Sequence, residues 1–195
     1  MSSLDEKLQI VAFSTNDTYQ TPNDIINLFL EEQNHVILKK TRNAIAFTTS
    51  LNNSSKSTKI MICSVLNLGR EYTGITEVNC YIIFVDLSKE NSKEKFESIL
   101  TYMKDYCDLS KKIFILGMIN SNNTEENKLV KKEEIIKSAQ NSETTYEYKE
   151  INLSNTKEIS NTIMNILIYS SKNSINGEVV EEEKEEGQSG SCEIF

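Results

Sequence analysis

A chain of 195 residues suits one domain with some length left over for a tail. Hydrophobic residues make up 38% and charged residues 26%, enough for one folded core, with no apolar run of membrane-spanning length and no signal-peptide core after MSSLDEKLQ. Of the net charge of −8, six glutamates against one lysine in residues 178–186 carry five units and Glu193 a sixth, so the rest is nearly neutral and has no basic stripe for nucleic acid.

Apolar runs of strand length recur along the chain. The first is Leu8–Phe13, followed by a polar loop and a helix marked by Ile25, Ile26, Leu28 and Phe29. Ala44–Leu51 and Lys59–Val65 flank the loop NNSSKST and read as a hairpin. Tyr81–Leu87, Ile113–Met118 and the alternating Tyr146–Leu153 complete six expected strands. Helical spacing lies between them: Phe96, Ile99, Leu100 and Met103, then Ile135, Ile136 and Ala139, and finally Ile159, Ile163, Ile166 and Leu167. After the hairpin, strand and helix alternate, which gives an α/β fold with a six-stranded, mostly parallel central sheet flanked by helices. The periodicity stops near Tyr169. The expected division is therefore a domain over 6–170 and a disordered acidic tail over 171–195.

Cys63 and Cys80 fall inside apolar runs and are expected as buried, inert thiols. His35 is the chain's one histidine and is expected at the surface or as a cap, not as a metal ligand.

Several stretches together resemble the Ras superfamily of small GTPases, its Rab and Ras-like branches most of all. These are KLQIV entering the first loop, NLFL leaving the first helix, Gly69-Arg70-Glu71, CYIIFVDLSKENSKEKFESI, IFILG and the terminal C-E-I-F. The resemblance spans about residues 6–195 and implies a P-loop NTPase-like small G domain. In that family bound GTP orders two switch segments, and partners read the ordered state.

The nucleotide motifs, taken position by position, are altered. The phosphate loop G-x-x-x-x-G-K-[ST] brings backbone N–H groups to the phosphates through its glycines, sets a lysine on them and holds magnesium with its Ser/Thr. Here its positions fall on Ala12, Asp17, Thr18, Thr21, Pro22 and Asp24, the first glycine of the chain is Gly69, and no lysine occurs between Lys7 and Lys39. Thr21 is a good N-cap, Pro22 suits the first helical position, and Asp24 sets a carboxylate in the first turn, so the helix start carries its own cap and anion. The first switch offers Thr41 for the family's magnesium threonine. In the second, D-x-x-G-Q becomes Leu66, Gly69 and Arg70 at the positions that serve metal, backbone and water. The base-specificity motif N-K-x-D falls on Met118, Ile119 and Ser121, and S-A-K on Ile151-Asn152-Leu153-Ser154. Nanomolar binding corresponds to about −12 kcal/mol. Three lost charge-assisted hydrogen bonds would remove about 5–9 kcal/mol of it.

The terminal Cys192-Glu193-Ile194-Phe195 fits the C-a-a-X lipidation motif, with phenylalanine favouring a geranylgeranyl group on Cys192. The resemblance thus implies a prenylated binding module in membrane traffic or signalling, with no catalytic residues. Its expected partners are effector- or regulator-type proteins, a prenyltransferase, a prenyl-binding carrier and a membrane reached through the lipid, with no nucleic acid. It is expected in the cytoplasm and reversibly on the cytosolic face of membranes. No metal site or cofactor is expected; GTP or GDP with magnesium belongs to the rival reading, an active but divergent GTPase. A second rival is a receiver-like α/β module, for which Asn16-Asp17 is an incomplete acidic pair.

Overall fold

The computed structural model of the protein describes residues 7–16, 22–32, 35–51, 57–65, 68, 77–119, 128–142 and 144–175. The elements run β1 (Lys7–Ser14), α1 (Pro22–Glu32), β2 (Val36–Lys40), β3 (Ala44–Ser50), β4 (Ser57–Ser64), β5 (Cys80–Asp86), α2 (Ser92–Tyr106), β6 (Ile113–Ile119), α3 (Lys132–Gln140), β7 (Tyr146–Asn152) and α4 (Thr156–Ile175). The strands form one mixed sheet in the order β2-β3-β4-β1-β5-β6-β7. From β4 to β7 every neighbour is parallel, while β2–β3 and β3–β4 are antiparallel.

The central strands read as continuous apolar runs because both their faces are covered. Leu8, Ile10 and Ala12 of β1 share one core with Ile82 and Phe84 of β5, with Ile25, Ile26 and Phe29 of α1, and with Ile159, Ile163 and Leu167 of α4. The alternate residues Val11, Phe13, Ile83 and Val85 point the other way and meet Phe96, Ile99 and Met103 of α2 and Ile135 and Ala139 of α3. The helices thus bury most of the apolar positions that their spacing marks, Ile136 of α3 being only half-buried. Cys63 and Cys80 are buried as expected, and burial pushes the Cys80 thiol up to about 12. A Cβ at Gly117 of β6 would stand 2.5 Å from the Tyr148 hydroxyl and 3.0 Å from Leu87 Cδ1, so this position is bare to let the tyrosine lie across the strand.

The structure corrects the expected strand count. Among the described residues the sheet has seven strands, not six, because β2 pairs with β3 at the edge. All five of its residues are exposed, so VILKK carries no alternation of apolar and polar positions for a sequence to display. The last helix, α4, continues past residue 170 to Ile175. Its last turns pack through small hydroxyls instead of aliphatic side chains. Ser170 and Ser171 are buried, and their hydroxyls donate to the carbonyls of Ile166 and Ile168 at 2.8 and 2.9 Å.

His35 is not a surface residue. It lies half-buried between the rings of Phe29 and Phe47, with centroids 4.4 and 5.6 Å away, and neither ring nitrogen has a hydrogen-bond partner among the described residues. Burial penalises the imidazolium and lowers the pKa from its ordinary value of about 6.5. The unfolded chain then binds the proton more readily than the folded one, so stability is full above pH ~6.5 and declines as pH falls below it. The expected result in urea denaturation is a loss of stability between pH 7.5 and 5.5 that becomes smaller in His35→Phe; an equal loss in both proteins would place the titrating group elsewhere.

Candidate functional site

β1 and β5 are neighbouring parallel strands whose following helices lie on opposite faces of the sheet. The chain leaves their C-terminal ends in opposite directions and opens a crevice there, the position at which open α/β sheets take ligands. Polar residues close both apolar runs at this point: Ser14-Thr15-Asn16 after β1, and Asp86-Leu87-Ser88-Lys89 at the end of β5.

These residues form one network. The buried Thr15 accepts the Asp86 backbone N–H at Oγ1 (3.0 Å) and donates to Ser92 Oγ (3.2 Å) at the start of α2. The Asp86 carboxylate is buried and used on both oxygens. Its Oδ1 accepts the Ser88 N–H at 3.0 Å and the Ser88 hydroxyl at 2.6 Å, a turn that swings the chain from β5 toward α2. Its Oδ2 accepts the Asn16 amide at 3.3 Å and lies 3.8 Å from Lys89 Nζ. The Lys89 ammonium in turn donates to Asn16 Oδ1 at 2.6 Å.

A second group sits on the other side of β1. Asn23, in the first turn of α1, is buried; its Oδ1 accepts the hydroxyl of Ser64 at the end of β4 (2.8 Å). Its Nδ2 donates to the carbonyls of Arg42 (2.7 Å) and Thr41 (3.4 Å) in the β2–β3 turn. One amide thus ties α1, β4 and the edge hairpin together.

The positions singled out in the sequence are placed as follows. Ala12 is inside β1 with its side chain in the core, two residues before the strand ends. Pro22 opens α1, and Asp24 is exposed in its first turn. Thr41 is exposed, and its Oγ1 accepts Ala44 N–H at 3.0 Å and reaches Ala44 O at 3.3 Å, which closes the β2–β3 turn. Met118 is buried in the core shared with α1 and α4, and Ile119 is half-buried against the opposite core; both are the last residues of β6. At the end of β7, Asn152 Oδ1 accepts Ser154 N–H (3.0 Å), so the stretch matched to S-A-K ends the strand in a turn, and after it Asn155 Oδ1 accepts Glu158 N–H (3.2 Å) as a cap of α4. Asp17, Thr18, Thr21, Leu66, Gly69, Arg70, Ser121 and Cys192 lie outside the described residues.

Sequence reading missed Thr15, Asn23, Ser64, Asp86, Ser88, Lys89 and Ser92. The available signal was positional: hydroxyl, amide and carboxylate residues that end apolar runs on strands the topology makes neighbours.

A nucleoside phosphate with magnesium needs cations and N–H donors at the end of β1. The described residues offer the Asp86 and Asp24 carboxylates instead, and the nearest ammonium, that of Lys89, is held by Asn16 and Asp86.

Asp86→Ala and Asn23→Ala should each destabilise the fold by about 1–3 kcal/mol, because each strands buried partners. Lys89→Met, at the exposed rim, should change stability by less than about 1 kcal/mol. Urea denaturation of the three variants checks the ranking, and a Lys89→Met loss equal to that of Asp86→Ala would contradict it.

No family model matches the chain and no curated protein matches it, so topology and the network at the end of β1 carry the functional reading.

Proposed function

We propose that the protein is a degenerate member of the Ras superfamily, a small-GTPase-like binding module that neither binds GTP tightly nor hydrolyses it. The fold supports this reading through its element order of strand, helix, antiparallel hairpin and then strand–helix alternation. The hairpin also separates it from the receiver-like rival, whose strand order 2-1-3-4-5 has no such edge.

The observation that carries the reading is the filled switch point. The carboxylate of Asp86 occupies the crevice with a complete set of partners of its own. Asn23 meanwhile holds the hairpin turn on α1 without any ligand. Where GTP would order a segment in the family, a side-chain amide does so permanently, and a protein partner meets one constant surface. A geranylgeranyl group on Cys192 would place that surface reversibly at the cytosolic face of a membrane, in traffic or signalling. One lipid chain gives only marginal binding, and the acidic tail supplies no second attraction. No described helix is long and apolar enough to cross a membrane.

The test is nucleotide content and response, together with the state of the tail. Purified protein should release no stoichiometric GTP or GDP, and magnesium with GTP should leave its melting temperature unchanged. A ligand at 100 times its dissociation constant stabilises by about 2.7 kcal/mol, a shift of several degrees in a domain of this size. A clear rise with GTP and none with ATP would sink the degenerate reading in favour of the active GTPase. Mass spectrometry of protein from eukaryotic cells should show a prenylated Cys192 with residues 193–195 removed, and no lipid in Cys192→Ser; an unmodified tail defeats the membrane half of the proposal.

A further inference from the structure

Between the start of α3 and the outer strand β7 lies a cavity of about 610 Å³, which shares no residue with the network at the end of β1. Its size is that of a small-molecule site. Four lysines and two glutamates line it around the side chain of Tyr148. β7 supplies Tyr148, Lys149 and Glu150; the chain entering α3 supplies Lys128, Lys131, Lys132 and Glu133.

One wall of the cavity is fixed. Lys128 Nζ donates to Glu150 Oε2 at 2.8 Å with its side chain only 11% exposed, and Glu150 Oε1 accepts the Tyr148 hydroxyl at 3.2 Å. Tyr148 can lie in this place because Gly117 beneath it has no Cβ. Glu150 thus spends its charge on Lys128. Among the described residues neither Lys131 nor Lys132 pairs with a carboxylate, and Lys132 Nζ stands 5.5 Å from the centroid of the Tyr148 ring. Lys149, whose Nζ donates to Thr162 Oγ1 at 2.8 Å, brings the lining to a surplus of two positive charges.

We infer that this cavity binds a phosphate monoester whose phosphate group sits against Lys131 and Lys132. Near pH 7 that group carries about −1.5 to −2 charges, which matches the surplus, whereas one carboxylate would meet only half of it. Lysine serves phosphate as a point charge and needs no planar fork. The Tyr148 ring and the width of the cavity leave room for the organic part. Glu133, exposed on the lining, is the one carboxylate there that opposes the ligand. The site needs neither the nucleotide motifs nor a lipid on Cys192, so it stands apart from the binding-module reading.

Nuclear magnetic resonance of the full-length chain at neutral pH and constant ionic strength tests this, with inorganic phosphate and glycerol 3-phosphate as soluble probes. Glycerol 3-phosphate should shift the amides of residues 128, 131–133 and 148–150 saturably, and at lower concentration than inorganic phosphate. Lys131→Gln/Lys132→Gln should weaken binding by about tenfold or more, and Glu133→Gln should tighten it by about threefold. Lys104→Gln/Lys111→Gln removes the same charge near the end of α2 and should leave affinity unchanged. All of these side chains are exposed, so loss of folding cannot imitate the result. Phosphatidylcholine vesicles containing phosphatidylinositol 4-phosphate separate the two sources of the group: saturable shifts with glycerol 3-phosphate assign a soluble ligand, and shifts with the vesicles alone assign a lipid headgroup. No saturable shift with any of the three probes overturns the proposal. So does a Lys131→Gln/Lys132→Gln chain that binds as before, or one that loses no more than the Lys104→Gln/Lys111→Gln chain.

Discussion

A strand buried on both faces dictates most of this molecule. β1, β5 and β6 have no polar side to turn toward water, so the sheet is stable only with a helical layer on each face. Right-handed crossovers then decide which helix goes where. From β1 the chain crosses to the layer of α1 and α4, and from β5 to the layer of α2 and α3. The crevice between the ends of these strands is a consequence of that divergence, and it exists whatever residues line it. The chemistry of the lining is a separate matter, settled by Thr15, Asn16, Asp86 and Lys89.

What was legible in the sequence follows from the same division. Burial on two faces writes an unbroken apolar run, which is why Leu8–Phe13, Tyr81–Leu87 and Ile113–Met118 could be read as strands and their neighbours as helices from spacing alone. β2 could not be read in this way. Its partners are backbone atoms of β3, and its side chains face water on both sides, so pairing leaves no trace in residue type. The end of α4 was missed for a different reason: Ser170 and Ser171 are polar letters in buried positions, satisfied by carbonyls one turn back. The site was the least legible part. Asp86 and Thr15 are 71 positions apart, and only the parallel register of β1 and β5 makes them neighbours.

The stretches matched to nucleotide motifs have a coherent local physics. Met118, matched to a base-specificity position, ends β6 in the core with Ile119 half-buried after it, and the stretch matched to S-A-K is spent on the turn that leaves β7. Sites that work on ligands commonly keep groups unsatisfied or strained, at some expense of stability. Here the groups at the strand ends satisfy one another. Opening Asp86 to a cation would mean giving up hydrogen bonds to a charged group, each worth about 1.5–3 kcal/mol, before anything was gained. The groups that line the crevice act as part of the scaffold.

That role bears on the edge strand. β2 buries little of its own surface, yet it is fixed at both ends by residues outside it. At its start His35 is wedged between Phe29 and Phe47, and beyond its last residue the Asn23 amide holds the carbonyls of Thr41 and Arg42. A strand pinned in this manner can keep Val36, Ile37 and Leu38 in water, because its position does not depend on burying them. The bulge between Ile37 and Lys39 and the two lysines are the usual guards of an exposed edge against indiscriminate pairing. The tie between α1 and the hairpin thus holds an exposed apolar edge in place without burying it.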